Sequence, residues 1–256
     1  MPASFSVDRD TLWGFLLTLT RTGSALIFLP MPGFQNVAQP ARILLIVGST
    51  FCLFPVWSVA VRADAGLGMV SSVLLETSLG LLIGLTVAFL FESFRFGAQL
   101  IAFQAGFGFA STIDPQSEAD SNILQVMAEM ATGLMFFSLG IHGQILRMLG
   151  RSFGEFTLTS PAAKASSVAL ILALGAKMFI TAIKIALPVV ALVFLVDQAL
   201  AALTRLQAHL QLMTLAFPAK ILLTLLFLTV ILTRWVGGFE RLVTEMFGRM
   251  LQLLAA

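Results

Sequence analysis

The sequence predicts an all-α membrane protein, and its composition is the first reason. Of 256 residues, 58% are hydrophobic and 11% are charged, whereas soluble domains carry about a quarter charged residues. The second reason is that the apolar residues form runs of about 20, the length that an α-helix needs to cross a bilayer. A net charge of +2 and a single cysteine indicate neither nucleic-acid binding nor a disulfide framework.

About six long hydrophobic helices are expected along one all-helical domain, 1–256. The apolar runs are 11–30, 43–61, 67–91, 123–149, 168–196 and 215–233. The first residues, MPASFSVDRD, lack a basic segment, so no cleaved secretory signal is expected and the first helix should stay in the mature protein.

Proline and glycine residues lie within and between these runs. Pro32, Gly33 and Pro40 predict a loop after the first helix, and Pro188 predicts a break in the fifth run. A Gly80-x-x-x-Gly84 pair in the third run would let another helix approach closely. The tail, 236–254, alternates charges with apolar residues at helical spacing, which predicts a C-terminal amphipathic helix.

A central stretch, 94–120, is rich in glycine and phenylalanine. It holds Gly97, Gly106, Gly108, Phe94, Phe96, Phe103, Phe107 and Phe109. An Asp114-Pro115 step then stops any helix, because the residue before proline avoids the α region. Two interpretations fit this composition: a folded plug in a pore, in which small residues allow bends and aromatic rings supply bulk, or a close-packed helix pair followed by an ordinary loop.

Charged residues fall inside the apolar runs, among them Arg21, Glu76, Glu129, Lys177, Lys184 and Lys220. Each would cost about 2.5–3.5 kcal/mol at the centre of a lipid-exposed helix. They must therefore face protein, water or one another. The sequence leaves three interpretations open: ion pairs within an assembly, a proton or ion relay as in a secondary transporter, or snorkelling of the lysines at helix ends.

The motifs of common enzymes are missing from the sequence, including G-x-S-x-G, H-E-x-x-H and the phosphate-binding G-x-x-x-x-G-K. His142 lies between Gly140 and Gly143, where a histidine is more often packed or interfacial than catalytic. We therefore predict no catalytic, cofactor or metal site.

An ordered set of motifs resembles the FliR-type family of export-gate subunits of type III secretion over nearly the whole chain. The set comprises Arg21 followed by Pro30, Pro40-x-Arg42, Glu76-x-x-x-Gly80, 106–115, FSLGIHGQI (137–145), Pro188, Arg205, and Phe217-Pro218 with Lys220. The chain departs from the family at Ile141, where glycine is frequent. It also lacks the Pro-Gln that usually follows the motif arginine, so the segment after Arg205 is expected to continue as helix.

The resemblance implies bent helical hairpins that assemble with FliP-like and FliQ-like subunits into a pore for unfolded flagellar substrates. FlhB-like and FlhA-like components are further expected partners, and the location implied is the bacterial inner membrane at the flagellar basal body. The family has no catalytic activity or cofactor of its own.

The resemblance also implies roles for particular residues. Those of the pore plug are Gly106, Phe107, Gly108, Phe109 and Asp114. Those that pair within or between subunits are Arg21, Glu76, Glu129, Lys177, Arg205 and Lys220. A virulence injectisome homologue, a small-solute transporter that depends on Glu76 or Glu129, and a membrane enzyme are the alternatives.

Overall fold

Seven helices make up most of the part of the chain that the computed structural model describes, namely residues 9–28, 39–57, 69–107, 123–155, 162–206 and 212–254. They are α1 (Arg9–Ile27), α2 (Gln39–Trp57), α3 (Met69–Ala105), α4 (Ile123–Ser138), α5 (Ile141–Glu155), α6 (Ala162–Leu206) and α7 (Leu212–Leu254). No strand occurs in these ranges. The all-α prediction is therefore confirmed for the described residues.

Within the described ranges, three helices, α3, α6 and α7, are long and apolar enough to cross a membrane. A fourth span is counted if α4 and α5 are taken together as one bent segment. These spans support a membrane protein, whereas the predicted count of about six long hydrophobic helices is not confirmed.

The long helices continue through positions where the sequence predicts interruptions. The expected break at Pro188 is wrong, because α6 runs for 45 residues with this proline inside it. Likewise α7, with 43 residues, joins the sixth apolar run to the amphipathic tail. A proline removes one helical hydrogen bond, and the buried face of α6 around it, with Ala186 and Val189 at 2% and 0% exposure, offsets that loss by packing.

The junction of α4 and α5 is a sharp bend of 64°. Gly140 has a φ of +63°, a left-handed conformation that glycine adopts without steric cost. Its N–H donates to the carbonyl of Phe137 at 3.1 Å, and its own carbonyl accepts from Gly143 at 3.1 Å. One glycine thus ends α4 and begins α5, whereas the bent helical hairpins that the resemblance implies stay a prediction.

The contacts divide the chain into two compact units. Unit 1 comprises residues 1–89, 136–174 and 245–256, and unit 2 comprises residues 90–135 and 175–244. In unit 1 the ring of Phe15 in α1 packs against Phe51 and Phe54 of α2, with centroids 5.1 and 5.6 Å apart. The core of unit 2 consists of Ile101, Ala102, Leu124, Ala186, Val189, Val193 and Leu228. The single-domain organisation stays a prediction.

Candidate functional site

The predicted close approach at Gly80 and Gly84 is confirmed, and it joins α1 to α3. A Cβ atom added at Gly80 would overlap the main-chain carbonyl of Arg21 and the hydroxyl of Ser24. One added at Gly84 would lie 2.6 Å from the carbonyl oxygen of Ala25. The two backbones are therefore in direct contact, as glycine pairs four residues apart permit.

This contact brings together two charges that are 55 positions apart in the sequence. Glu76 precedes Gly80 by four residues and so lies on the same face of α3. The guanidinium of Arg21 binds the Glu76 carboxylate through two parallel hydrogen bonds, from Nε to Oε2 and from Nη2 to Oε1, the second at 3.0 Å. The Arg21 side chain is 1% exposed and that of Glu76 is 0% exposed.

A third helix completes the site. Nη1 of Arg21 donates to the main-chain carbonyl of Ser152 at 2.7 Å and to its hydroxyl oxygen at 3.2 Å. Ser152 is in the last turn of α5, where carbonyl groups have no partner within the helix. The ring of Phe153 lies 4.5 Å from Cζ of Arg21, within cation–π range. We call Arg21, Glu76, Ser152 and Phe153 the Arg21 cluster.

The Arg21 cluster is a structural centre of unit 1. It satisfies the donors of a buried arginine with a counter-charge, a helix end and an aromatic ring. One guanidinium from α1 binds groups of both α3 and α5, so the arrangement is suited to fixing three helices. Arg21 and Glu76 were selected from the sequence, whereas Ser152 and Phe153 were missed. Ser152 contributes mainly its main-chain carbonyl and Phe153 its ring, and neither belongs to a sequence motif.

Lys220 also has a partner within the chain. It forms an ion pair with Asp197, and this pair joins α7 to α6 in unit 2. The side chains are 16% and 33% exposed. Asp197 was not singled out from the sequence, although it is the single acidic residue between 162 and 206, a signal that could have found it.

The other embedded charges differ in exposure. Glu129 of α4 and Lys177 of α6 are half-buried, and both are engaged in interactions. Lys184 and Arg205 of α6 are exposed. The structure therefore gives Arg21, Glu76 and Lys220 partners within this chain, whereas the pairing of Glu129, Lys177 and Arg205 within or between subunits stays a prediction.

The first half of the glycine-phenylalanine stretch is helix, since α3 continues to Ala105. Gly97 lies within this helix, where an added Cβ would be 3.2 Å from the carbonyl oxygen of Ala182 in α6. This glycine therefore serves helix packing.

A Schellman motif ends α3 at the start of the predicted plug. Gly106 has a φ of +86°; its N–H donates to Phe103 at 3.3 Å, and the N–H of Phe107 donates to Ala102 at 3.1 Å. Phe107 is half-buried and packs against the core of unit 2. The other predicted plug residues, Gly108, Phe109 and Asp114, lie outside the described residues.

Groups of three or more histidine, cysteine, aspartate or glutamate side chains that could hold a metal ion do not occur among the described residues.

Comparison with known proteins gives a family and named relatives. Residues 12–246 match the sequence profile of "Bacterial export proteins, family 1". The flagellar biosynthetic protein FliR of Bacillus subtilis is 28% identical over 228 residues, covering 86% of each chain. FliR of Pectobacterium carotovorum is 23% identical over 247 residues, 94% of this chain and 91% of that one. FliR of Escherichia coli is 22% identical over 177 residues, 69% and 68% of the two chains. Because the profile spans nearly the whole sequence, the chain belongs to family 1 of the bacterial export proteins.

Proposed function

We propose that the chain is a non-enzymatic subunit of the bacterial flagellar protein-export apparatus. The observation that carries this proposal is the family match over residues 12–246, together with relatives that are all named flagellar biosynthetic protein FliR. These names favour a flagellar system over a virulence injectisome. A solute transporter that uses Glu76 is not favoured, because this carboxylate is inaccessible to solvent and bound by Arg21.

In this proposal the subunit assembles with FliP-like and FliQ-like subunits into a pore for unfolded substrates. It does so in the inner membrane at the basal body, next to FlhB-like and FlhA-like components. The outer surface of the long helices supports this assembly. In the most apolar segments of α6 and α7, 22% and 17% of the residues are buried within the chain. Such large apolar faces require lipid or other subunits to cover them.

Co-expression tests the assembly. When the tagged chain is produced with the FliP-like and FliQ-like proteins of the same host and purified in mild detergent, we expect both to be retained in one complex. The apolar faces of α6 and α7 supply the contact surface. The measurement is the subunit content of the complex after size-exclusion chromatography. Recovery of this chain alone as a monodisperse particle would contradict the proposal.

The plug is the second part of the proposal. The residues Gly106, Phe107, Gly108, Phe109 and Asp114 would close the pore when no substrate is present. The Schellman motif supports a fixed starting point for this segment, because Gly106 turns the chain out of α3 while Phe107 packs against the core of unit 2. In this arrangement Phe107 anchors the segment and Phe109 supplies bulk for the seal.

Replacing both phenylalanines is expected to make the gate leak. The Phe107→Ala/Phe109→Ala variant should still assemble, because Phe107 is on the edge of the core rather than within it, but its ionic conductance in planar bilayers should rise. Phe103→Ala is the matched control, since this ring is 83% exposed and lies on α3 before the cap. Equal conductance of the double variant and the wild-type gate, or an equal leak in the control, would reject the plug.

A further inference from the structure

The cations embedded in the apolar helices do not all have partners in this chain. Arg21 binds Glu76, Lys220 binds Asp197, and Lys177 is engaged as well. Lys184, in the middle of α6, is exposed. Among the described residues, none forms an ion pair with it. Because an ammonium group in hydrocarbon is costly, this position requires a partner from outside the chain.

The position of Lys184 on its helix points the same way. The buried stripe of α6 contains Ala182, Ala186 and Val189, which pack within unit 2. At about 100° per residue, Lys184 is about 200° around the helix from Ala182 and so faces away from that stripe. Its neighbours on the outer face, Ile183 and Leu187, are 49% and 60% exposed. The charge is thus surrounded by uncovered apolar side chains.

Pro188 adds a second polar feature to this face. Proline has no backbone N–H, so the carbonyl of Lys184, four residues earlier, cannot receive its usual helical hydrogen bond. Pro188 is inside α6 and exposed. Backbone polar groups within a membrane need a partner. The same surface therefore presents a cationic donor beside a carbonyl group that lacks its usual helical donor.

We propose that this surface, formed by Ile180, Ile183, Lys184, Leu187 and Pro188, is a docking site for a membrane-spanning helix of another export-gate subunit. That helix carries an aspartate or glutamate at the level of Lys184. We call the surface the Lys184 face. The proposal rests on the proposed function, since it names a contact within the same assembly.

Lipid headgroups are a poorer partner for Lys184 than a carboxylate on a neighbouring helix. The nearest other charged residues of α6 are Lys177 and Asp197. At about 1.5 Å per residue they are about 10 Å and about 20 Å away along the axis. Lys184 is therefore the single charged residue of 178–196, an apolar segment of α6. A buried ion pair with a neighbouring helix satisfies it in place.

Photo-crosslinking in native membranes tests the Lys184 face directly. Leu187 is replaced by p-benzoyl-phenylalanine in the full chain, co-expressed with the FliP-like and FliQ-like subunits, and adducts are mapped by mass spectrometry. We expect an adduct to a membrane-spanning segment that contains an aspartate or glutamate. Lys184→Glu should lower its yield by about tenfold or more, as expected when a buried ion pair becomes a like-charge pair. Lys184→Arg, which keeps the charge, should retain it.

Two further variants make the result decisive. In the Lys184→Glu background, replacing the mapped carboxylate by lysine should restore the adduct. The control is Arg151→Glu, which reverses the charge of an exposed arginine of α5 and should leave the crosslinking yield unchanged. Adducts with lipid alone, or a protein adduct indifferent to Lys184→Glu, would overturn the proposal. If the wild-type chain retains neither subunit on purification, the proposed function fails, while the crosslink at Leu187 still decides whether the Lys184 face docks a helix.

Discussion

Arg21→Met and Glu76→Met are each expected to lower the free energy of unfolding by about 3–5 kcal/mol, because each leaves a buried charge without its counter-charge. Both side chains are almost fully buried. Arg21→Met should be the more damaging, because it also leaves the Ser152 carbonyl at the end of α5 without its donor. The measurement is reversible unfolding of the full chain in mixed detergent micelles.

The double variant separates the pair from the packing around it. Arg21→Met/Glu76→Met removes both charges and fills the space with apolar atoms, so its cost should be well below the sum of the two single costs. The exposed pair Glu245–Arg249, also at 3.0 Å, is the control, and its removal should cost less than about 1 kcal/mol. Additive single effects would show that Arg21 and Glu76 act independently.

Two of the four residues of the Arg21 cluster, Arg21 and Glu76, could be selected from the sequence. Burying a charge among apolar residues costs free energy. The sequence therefore indicates that Arg21 and Glu76 need partners. That they partner each other depends on the contact of α1 with α3, which local patterns do not encode. The hydrogen bond from Arg21 to the carbonyl of Ser152 was not predictable, because that carbonyl lacks a helical partner only where α5 ends.

Helix lengths were less predictable than helix type. The glycines and phenylalanines of 94–105 fit either a folded plug or a close-packed helix pair; in the structure α3 passes through this region, and Gly97 lets the carbonyl of Ala182 approach. Composition alone does not choose between the two, because the choice depends on packing between helices. The same applies to Pro188, where the loss of one hydrogen bond is small beside the burial of the inner face of α6.

Gly80→Ala is expected to destabilise the chain by about 3 kcal/mol, near the upper end of overpacking effects. The added Cβ would overlap main-chain atoms of Arg21, and a backbone in the middle of a helix cannot move aside as a side-chain end can. The helices α1 and α3 must then separate, which also lengthens the Arg21–Glu76 hydrogen bonds. Unfolding in detergent micelles measures the loss.

Gly237→Ala provides the matched control for Gly80→Ala. Gly237 is also inside a long helix, but an added Cβ there meets nothing within 4 Å. Alanine should therefore stabilise α7 by about 0.5–1 kcal/mol through the entropy of the unfolded chain. Equal effects at the two glycines would mean that α1 and α3 are not in backbone contact.

The Gly80 substitution also distinguishes the backbone contact from the ion pair. The atoms that a Cβ would overlap include the main-chain carbonyl group of residue 21. This group is present whichever side chain occupies that position. In the Arg21→Met/Glu76→Met background, Gly80→Ala should therefore remain clearly destabilising, although the ion pair is gone. If its cost instead vanished there, the damage would come from the charges alone. A persistent cost would show that close packing at Gly80 positions α1 and that the Arg21 cluster depends on that packing.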